Sequence, residues 1–123
     1  MPSRDYMYFA DTIHMPYGSR STESIEGIVT AICDFLIEQG CQAIVMACNT
    51  SSALALAKMR SRYDIPIIGV LEPGARAAVN GTRNGKIGVM ATEGTVRSGA
   101  YPRAVQRLRP EYVVYSQACP KLA

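Results

Sequence analysis

The segment Ala47-Cys48-Asn49-Thr50-Ser51 carries the side chains best suited to chemistry. It joins a short apolar run, typical of a buried strand, to a segment with helical character, so Cys48 is expected at the start of a helix, facing a crevice. The positive end of a helix dipole favours a thiolate over a thiol, and a thiolate is a base. Asn49 and Thr50 offer donors and acceptors beside the sulfur. A buried structural cysteine, with Asn49 or Thr50 capping the helix, stays open as the alternative.

Two further polar stretches have the form of small-anion sites. In Pro16-Tyr17-Gly18-Ser19, the glycine lets backbone amides approach a ligand, and exposed amides can receive a carboxylate. The segment ATEGTVRS, residues 91–98, resembles a strand-to-helix anion loop in which Thr92 and Thr95 could flank one bound group. Taken singly, each stretch is equally explained as a plain turn or a helix cap.

Composition and charge exclude several classes of protein. The net charge of +3 comes from scattered Lys and Arg residues, which argues against a nucleic-acid partner. No apolar run reaches the roughly 18 residues of a membrane span, and the first residues lack the form of a signal peptide. With one His and no C-x-x-C pair, the sequence predicts no metal site. The remaining cysteines are expected to be structural free thiols of a cytoplasmic protein: Cys33, Cys41 and Cys119.

The predicted strands and helices that must position these segments alternate along the chain. Strands are predicted over residues 6–10, 43–47, 67–71, 86–91 and 112–115, and helices over 22–39, 52–62, 75–79 and 95–108. Ser21 is the predicted N-cap of the first helix and Gly40 its stop. This alternation predicts an α/β fold, a three-layer α/β/α arrangement with a mainly parallel sheet. Ligands bind beyond the carboxyl ends of such strands, where all three polar segments fall.

Together the motifs resemble the glutamate racemase family, a branch of the aspartate/glutamate racemases. The matching blocks are YFADT, PYGS, ACNTSSALAL, DIPIIGVLEPGARAA, GKIGVMATEGTVRSGAY and QACP, in the family's order. The blocks GVLEPGA and TVRSGAY favour the glutamate branch, and an aspartate or hydantoin racemase relative remains an alternative.

The resemblance implies interconversion of L- and D-glutamate for peptidoglycan synthesis, by two cysteines working as acid and base without a cofactor. Cys48 would be the first-domain cysteine, which handles the α-proton of the D-isomer. The implied substrate-binding residues are Pro16, Tyr17, Gly18, Asn49, Thr50, Thr92 and Thr95. The implied partner is the small molecule glutamate, with no nucleic acid and no membrane, and a homodimer is one of the states allowed for full-length members.

Two family motifs have no counterpart in this sequence. The Asp-Ser-Gly motif of the first strand is missing, and so is the Gly-Cys-Thr-His motif that supplies the second cysteine. We therefore expect a chain truncated at both ends, with a partial N-terminal domain over residues 1–80 and the start of a second, similar domain over 81–123. Such a chain is expected to be inactive or incomplete alone. An inactive remnant or a non-catalytic interaction protein is the competing hypothesis.

Overall fold

Strands and helices alternate along most of the chain, as described for residues 4–121 by a computed structural model. The elements are α1 (Thr22–Glu38), β1 (Ile44–Met46), α2 (Asn49–Arg62), β2 (Ile67–Gly69), α3 (Leu71–Gly81), β3 (Lys86–Ala91), α4 (Glu93–Ser98), α5 (Ala100–Leu108) and β4 (Val113–Ala118). The predicted α/β class is confirmed.

The four strands form two separate parallel pairs. β1 lies beside β2, with Ile44 opposite Ile67, and β3 lies beside β4, with Lys86 opposite Val113. Each connection between paired strands contains a helix, as parallel pairing requires. The parallel arrangement is confirmed, and the described strands are divided between two sheets rather than joined in one.

The first sheet is covered on one face only. Helices α1 and α2 pack together, and the residues buried between them and the sheet are Ile25, Val29, Cys33, Ile44, Met46, Ala55, Leu56, Met59 and Ile67. Because successive side chains of a strand point to opposite faces, Val45 and Ile68 lie on the other face. They are 64% and 49% exposed, so this face is open within the described residues.

The second sheet packs against α3 and α5. Its core consists of Ala75, Val79, Ile87 and Val105. Helix α3 therefore packs with the sheet that follows it along the chain. The boundary predicted between residues 80 and 81 falls at the last turn of this helix, and the division into domains stays a prediction.

Local signals correctly mark both ends of α1. The Ser21 hydroxyl accepts a hydrogen bond from the Ser24 amide at 3.2 Å, and Gly40 follows the helix with a φ of 86°. Only glycine adopts this left-handed conformation without strain. Across residues 4–121, the helices fall short of the length and apolar character that a membrane crossing needs.

Two helices start earlier than the sequence predicts. α2 starts at Asn49 rather than at residue 52, directly after the N-cap Cys48. The sequence also predicts that Glu72, Pro73 and Gly74 end the strand over residues 67–71 before a short helix over 75–79, but β2 already ends at Gly69 and α3 starts at Leu71. Proline is tolerated there because backbone amides in the first turn have no partner within the helix.

The strand predicted over residues 6–10 is absent from the described structure. This segment is irregular, and the side chains of Tyr6 and Tyr8 are 83% and 89% exposed. A strand is stabilised by hydrogen bonds to a neighbour, and neither described sheet extends to this segment. Its contact with the fold includes the Phe9 ring, which packs on Phe35 with centroids 5.6 Å apart.

The single helix predicted over residues 95–108 is divided in two. Gly99 ends α4 with a φ of 63°, and α5 starts at the next residue. A left-handed residue interrupts the repeating helical hydrogen bonds, so the chain changes direction there.

Candidate functional site

Cys48 lies at the junction between the first strand and the second helix. It is the N-cap residue of α2, with an extended backbone (φ −90°, ψ 128°), and its side chain makes no capping hydrogen bond. The thiol is free and the residue is exposed. Its predicted position at a strand-to-helix junction is confirmed, and a buried structural cysteine is excluded. Its catalytic role stays a prediction.

Three threonine hydroxyls connect this junction to the second sheet. The Thr50 hydroxyl oxygen lies 2.8 Å from that of Thr92 and 3.3 Å from that of Thr95, and the last two are 3.1 Å apart. Three hydroxyls in a ring can each donate to the next, so every buried donor has an acceptor. Thr50 and Thr95 are each 2% exposed, which leaves Thr92 as the member most accessible to a ligand.

The loop of residues 16–19 contacts the same region. The Gly94 amide donates to the Gly18 carbonyl at 2.9 Å. A Cβ atom on Gly18 would lie 2.8 Å from the Thr92 Cβ, so a larger residue would push the loop away. The two segments share a small cleft of about 60 Å³ lined by Pro16, Gly18, Ser19, Thr92, Glu93 and Pro120. The three polar segments are therefore joined by contacts, although only the segments of Cys48 and Thr92 follow the end of a strand as predicted.

Asp11 anchors this loop, and it is not among the residues that the sequence singles out. The Tyr17 hydroxyl donates to Asp11 Oδ2 at 2.5 Å, and His14 Nδ1 lies 2.8 Å from Asp11 Oδ1. Burial acts to raise the pKa of the Asp11 carboxyl, but the hydrogen bonds from Tyr17 and His14 outweigh it and hold the pKa below its usual value.

The Tyr17 hydroxyl stays protonated across the neutral range. Its pKa is raised, first by burial, then by the hydrogen bond to Asp11, and further by the charges of Asp11 and Cys48. Because a charge on the Cys48 sulfur acts on the pKa of Tyr17, the two side chains lie near each other. A protonated Tyr17 therefore fixes the loop to an ionised Asp11 beside the thiol.

A second contact missed by the sequence involves Asn49, the residue after the cysteine. The Tyr101 hydroxyl donates to Asn49 Oδ1 at 2.7 Å, across 52 residues of sequence. Tyr101 is half-buried, and burial raises its pKa. No sequence signal pairs these two residues, because the contact depends on how α5 is placed against α2.

The arrangement suits proton exchange with a small carboxylate ligand. An exposed thiol lies at a helix start, followed by the side-chain amide of Asn49, and Thr50 joins this helix to Thr92 beside the Gly18 loop. Within residues 4–121, no group of three or more His, Cys, Asp or Glu side chains is placed to hold a metal ion.

Comparison with known proteins agrees across nearly the whole chain. The family model described as Asp/Glu/Hydantoin racemase matches residues 1–122. A glutamate racemase of Geobacter metallireducens is 45% identical over 120 residues, which are 98% of this chain and 44% of that protein.

Solved structures give the same result. Glutamate racemase isoform RacE1 from Bacillus anthracis matches with a TM-score of 0.88 and 44% identity, over 91% of this chain and 42% of that one. Glutamate racemase from Francisella tularensis, solved in complex with D-glutamate, matches with a TM-score of 0.78 and 35% identity, over 85% and 39%. The chain thus spans less than half the length of each relative.

Proposed function

Because the chain belongs to the Asp/Glu/hydantoin racemase family, we propose that it provides the first catalytic cysteine of a cofactor-independent glutamate racemase. The exposed Cys48 thiol at the start of α2, with all three predicted segments gathered near it, carries this proposal. The Francisella relative with D-glutamate bound supports an acidic amino acid as the ligand. The D-glutamate would serve peptidoglycan synthesis in a bacterial cytoplasm.

The proposed chemistry is a proton transfer at the α-carbon. The Cys48 thiolate takes the α-proton of D-glutamate, and the electron pair left behind spreads onto the α-carboxylate. Fixed hydrogen-bond donors aimed at that carboxylate stabilise the developing charge. Asn49, Thr92 and the backbone of Gly18 are the donors that we assign to substrate, with Pro16 and Tyr17 shaping the loop.

Thr50 and Thr95 have a less direct part in this proposal. Their hydroxyls are buried and bonded to Thr92, so they fix the orientation of the hydroxyl that a ligand can reach. Racemisation also needs an acid on the opposite face of the α-carbon. The family resemblance implies that a second cysteine, in a motif absent from this sequence, supplies it.

Hydrogen–deuterium exchange at the α-carbon tests the proposal. The folded 123-residue chain, incubated with D-glutamate in D2O, should exchange the α-hydrogen without producing L-glutamate, because only one base is present. Proton NMR of the amino acid measures the exchange, and polarimetry measures racemisation. The expected result for Cys48→Ala is complete loss of exchange, whereas Cys41→Ser keeps it.

Two results would overturn this proposal. Exchange that survives in Cys48→Ala would remove the cysteine from the chemistry, and no exchange in a chain with a native circular dichroism spectrum would favour an inactive remnant. Faster exchange into D-aspartate than into D-glutamate would move the chain to another branch of the family.

A further inference from the structure

We propose that Tyr101 is a positioning residue that orients the side-chain amide of Asn49, so that its NH2 group faces a carboxylate bound beside Cys48. The inference rests on the proposed function for the nature of the ligand. The observation behind it is the hydrogen bond from the Tyr101 hydroxyl to Asn49 Oδ1 at 2.7 Å, which joins α5 to the first residue of α2.

The fold holds the tyrosine in place from three sides. Tyr101 lies in the first turn of α5, two residues after the left-handed Gly99 that redirects the chain. Its ring packs against the core of the second sheet. A Cβ atom on Gly74 would lie 3.1 Å from the Tyr101 hydroxyl oxygen, so the glycine of α3 leaves the space that this hydroxyl occupies. The Tyr101 hydroxyl thus reaches α2 from a ring that the surrounding packing holds in place.

The contact decides which end of the amide is available to a ligand. An Asn side chain has one acceptor oxygen and an NH2 group with two donors, and a rotation of 180° exchanges them. The hydroxyl of Tyr101 holds the oxygen, and burial of the tyrosine raises its pKa, so it remains a donor at neutral pH. The NH2 group is then free to donate to a carboxylate, an interaction stronger than one between neutral groups.

Alkylation of Cys48 by two reagents of different charge tests this role. Iodoacetate and iodoacetamide both form a bond from sulfur to their CH2 carbon and release iodide, but only iodoacetate carries a carboxylate. The ratio of the two rates therefore measures carboxylate recognition at the sulfur. Mass spectrometry reports each cysteine separately, and the buried Cys33 should stay unmodified while the chain is folded.

In Tyr101→Phe, we expect the iodoacetate to iodoacetamide ratio to fall about three- to tenfold, the size of one weakened hydrogen bond to a charged group. The iodoacetamide rate itself should not change. Tyr112→Phe is the matched control, because Tyr112 packs against the same core and contacts the Gly85 turn instead. Its ratio should equal that of the unmodified sequence.

A double variant separates positioning from general stability. Asn49→Ala should lower the ratio by itself, and adding Tyr101→Phe should lower it no further, because the tyrosine acts through the amide. Additive effects, equal slowing of both reagents, or a ratio that rises in Tyr101→Phe would each overturn the inference. Failure of deuterium exchange would count against the proposed function alone, since the alkylation ratio needs no glutamate.

Discussion

Two of the strand-to-helix junctions, β1 to α2 and β3 to α4, share a backbone design and differ in side-chain chemistry. Both N-cap residues are extended, with φ and ψ of −90° and 128° at Cys48 and −61° and 159° at Thr92. The Thr92 hydroxyl accepts from the Thr95 amide at 3.4 Å, whereas Cys48 makes no such bond. One junction is closed by its own side chain, and the other leaves the first amides of its helix uncapped.

The difference affects how much each N-cap contributes to the stability of its helix. A good N-cap contributes about 1 kcal/mol to a helix, and the Cys48 junction forgoes that contribution. The closed junction in turn supports the open one, because Thr92 and Thr95 bond to Thr50 in the first turn of α2. The closed junction lines the small cleft, and the open junction carries the free thiol for which we propose a catalytic role.

The largest expected effect follows from breaking the link between the junctions. Thr50→Val removes a buried hydroxyl and leaves Thr92 and Thr95 each short of a partner. We expect the free energy of unfolding to fall by about 1–3 kcal/mol, measured by urea denaturation. Thr22→Val, a change at a partly exposed position in the first turn of α1, should alter it by less than about 0.5 kcal/mol. Equal stability of the two variants would show that the hydroxyl ring does not couple the junctions.

Opening the closed junction should have a smaller effect. Thr92→Ala removes the cap of α4 and one member of the hydroxyl ring, but Thr92 is partly exposed, so water can replace its hydroxyl beside Thr50 and Thr95. We therefore expect a loss of about 1 kcal/mol in the free energy of unfolding, the size of a lost cap. Thr92→Ser keeps the hydroxyl and should retain most of the stability. If both variants lose the same amount in urea denaturation, packing of the Thr92 methyl group, not its hydroxyl, stabilises this junction.

Closing the open junction should have the smallest effect and the opposite sign. Cys48→Ser places a preferred N-cap residue before α2, so we expect a gain of roughly 0.5 kcal/mol relative to Cys48→Ala. Thermal unfolding followed by circular dichroism measures the difference. A serine variant less stable than the alanine variant would mean that the junction cannot accept a side-chain cap, and the comparison with Thr92 would fail.

Local signals predicted α1 and β3 closely and failed for the strand expected over residues 6–10. α1 matches the sequence-based range within one residue, because its hydrogen bonds are internal and its ends are marked by Ser21 and Gly40. The segment over residues 6–10 has equally clear strand composition, yet a strand depends on a neighbour that its own sequence does not specify. The division at Gly99 was not predicted for a different reason. A glycine in a helical pattern is compatible with both continuation and a break, so the pattern does not show which one occurs.

The placement of two polar segments at strand ends was predictable, and the contacts that fix all three were not. Cys48 and Thr92 each follow the carboxyl end of a strand, as predicted, whereas Gly18 follows an irregular segment and is held beside Thr92 by the Gly94 amide. The bonds from Tyr101 to Asn49 and from Tyr17 to Asp11 depend on side-chain directions that are set only when the elements pack. Sequence patterns therefore located the site, and tertiary packing decided its orientation.

The face of the β1–β2 sheet that is open within the described residues leaves apolar side chains in contact with water. Val45 and Ile68 are paired in the register of β1 and β2, and together they form an exposed apolar patch on this two-stranded sheet. Covering this patch with another apolar surface would remove both side chains from water, which is favourable by the hydrophobic effect.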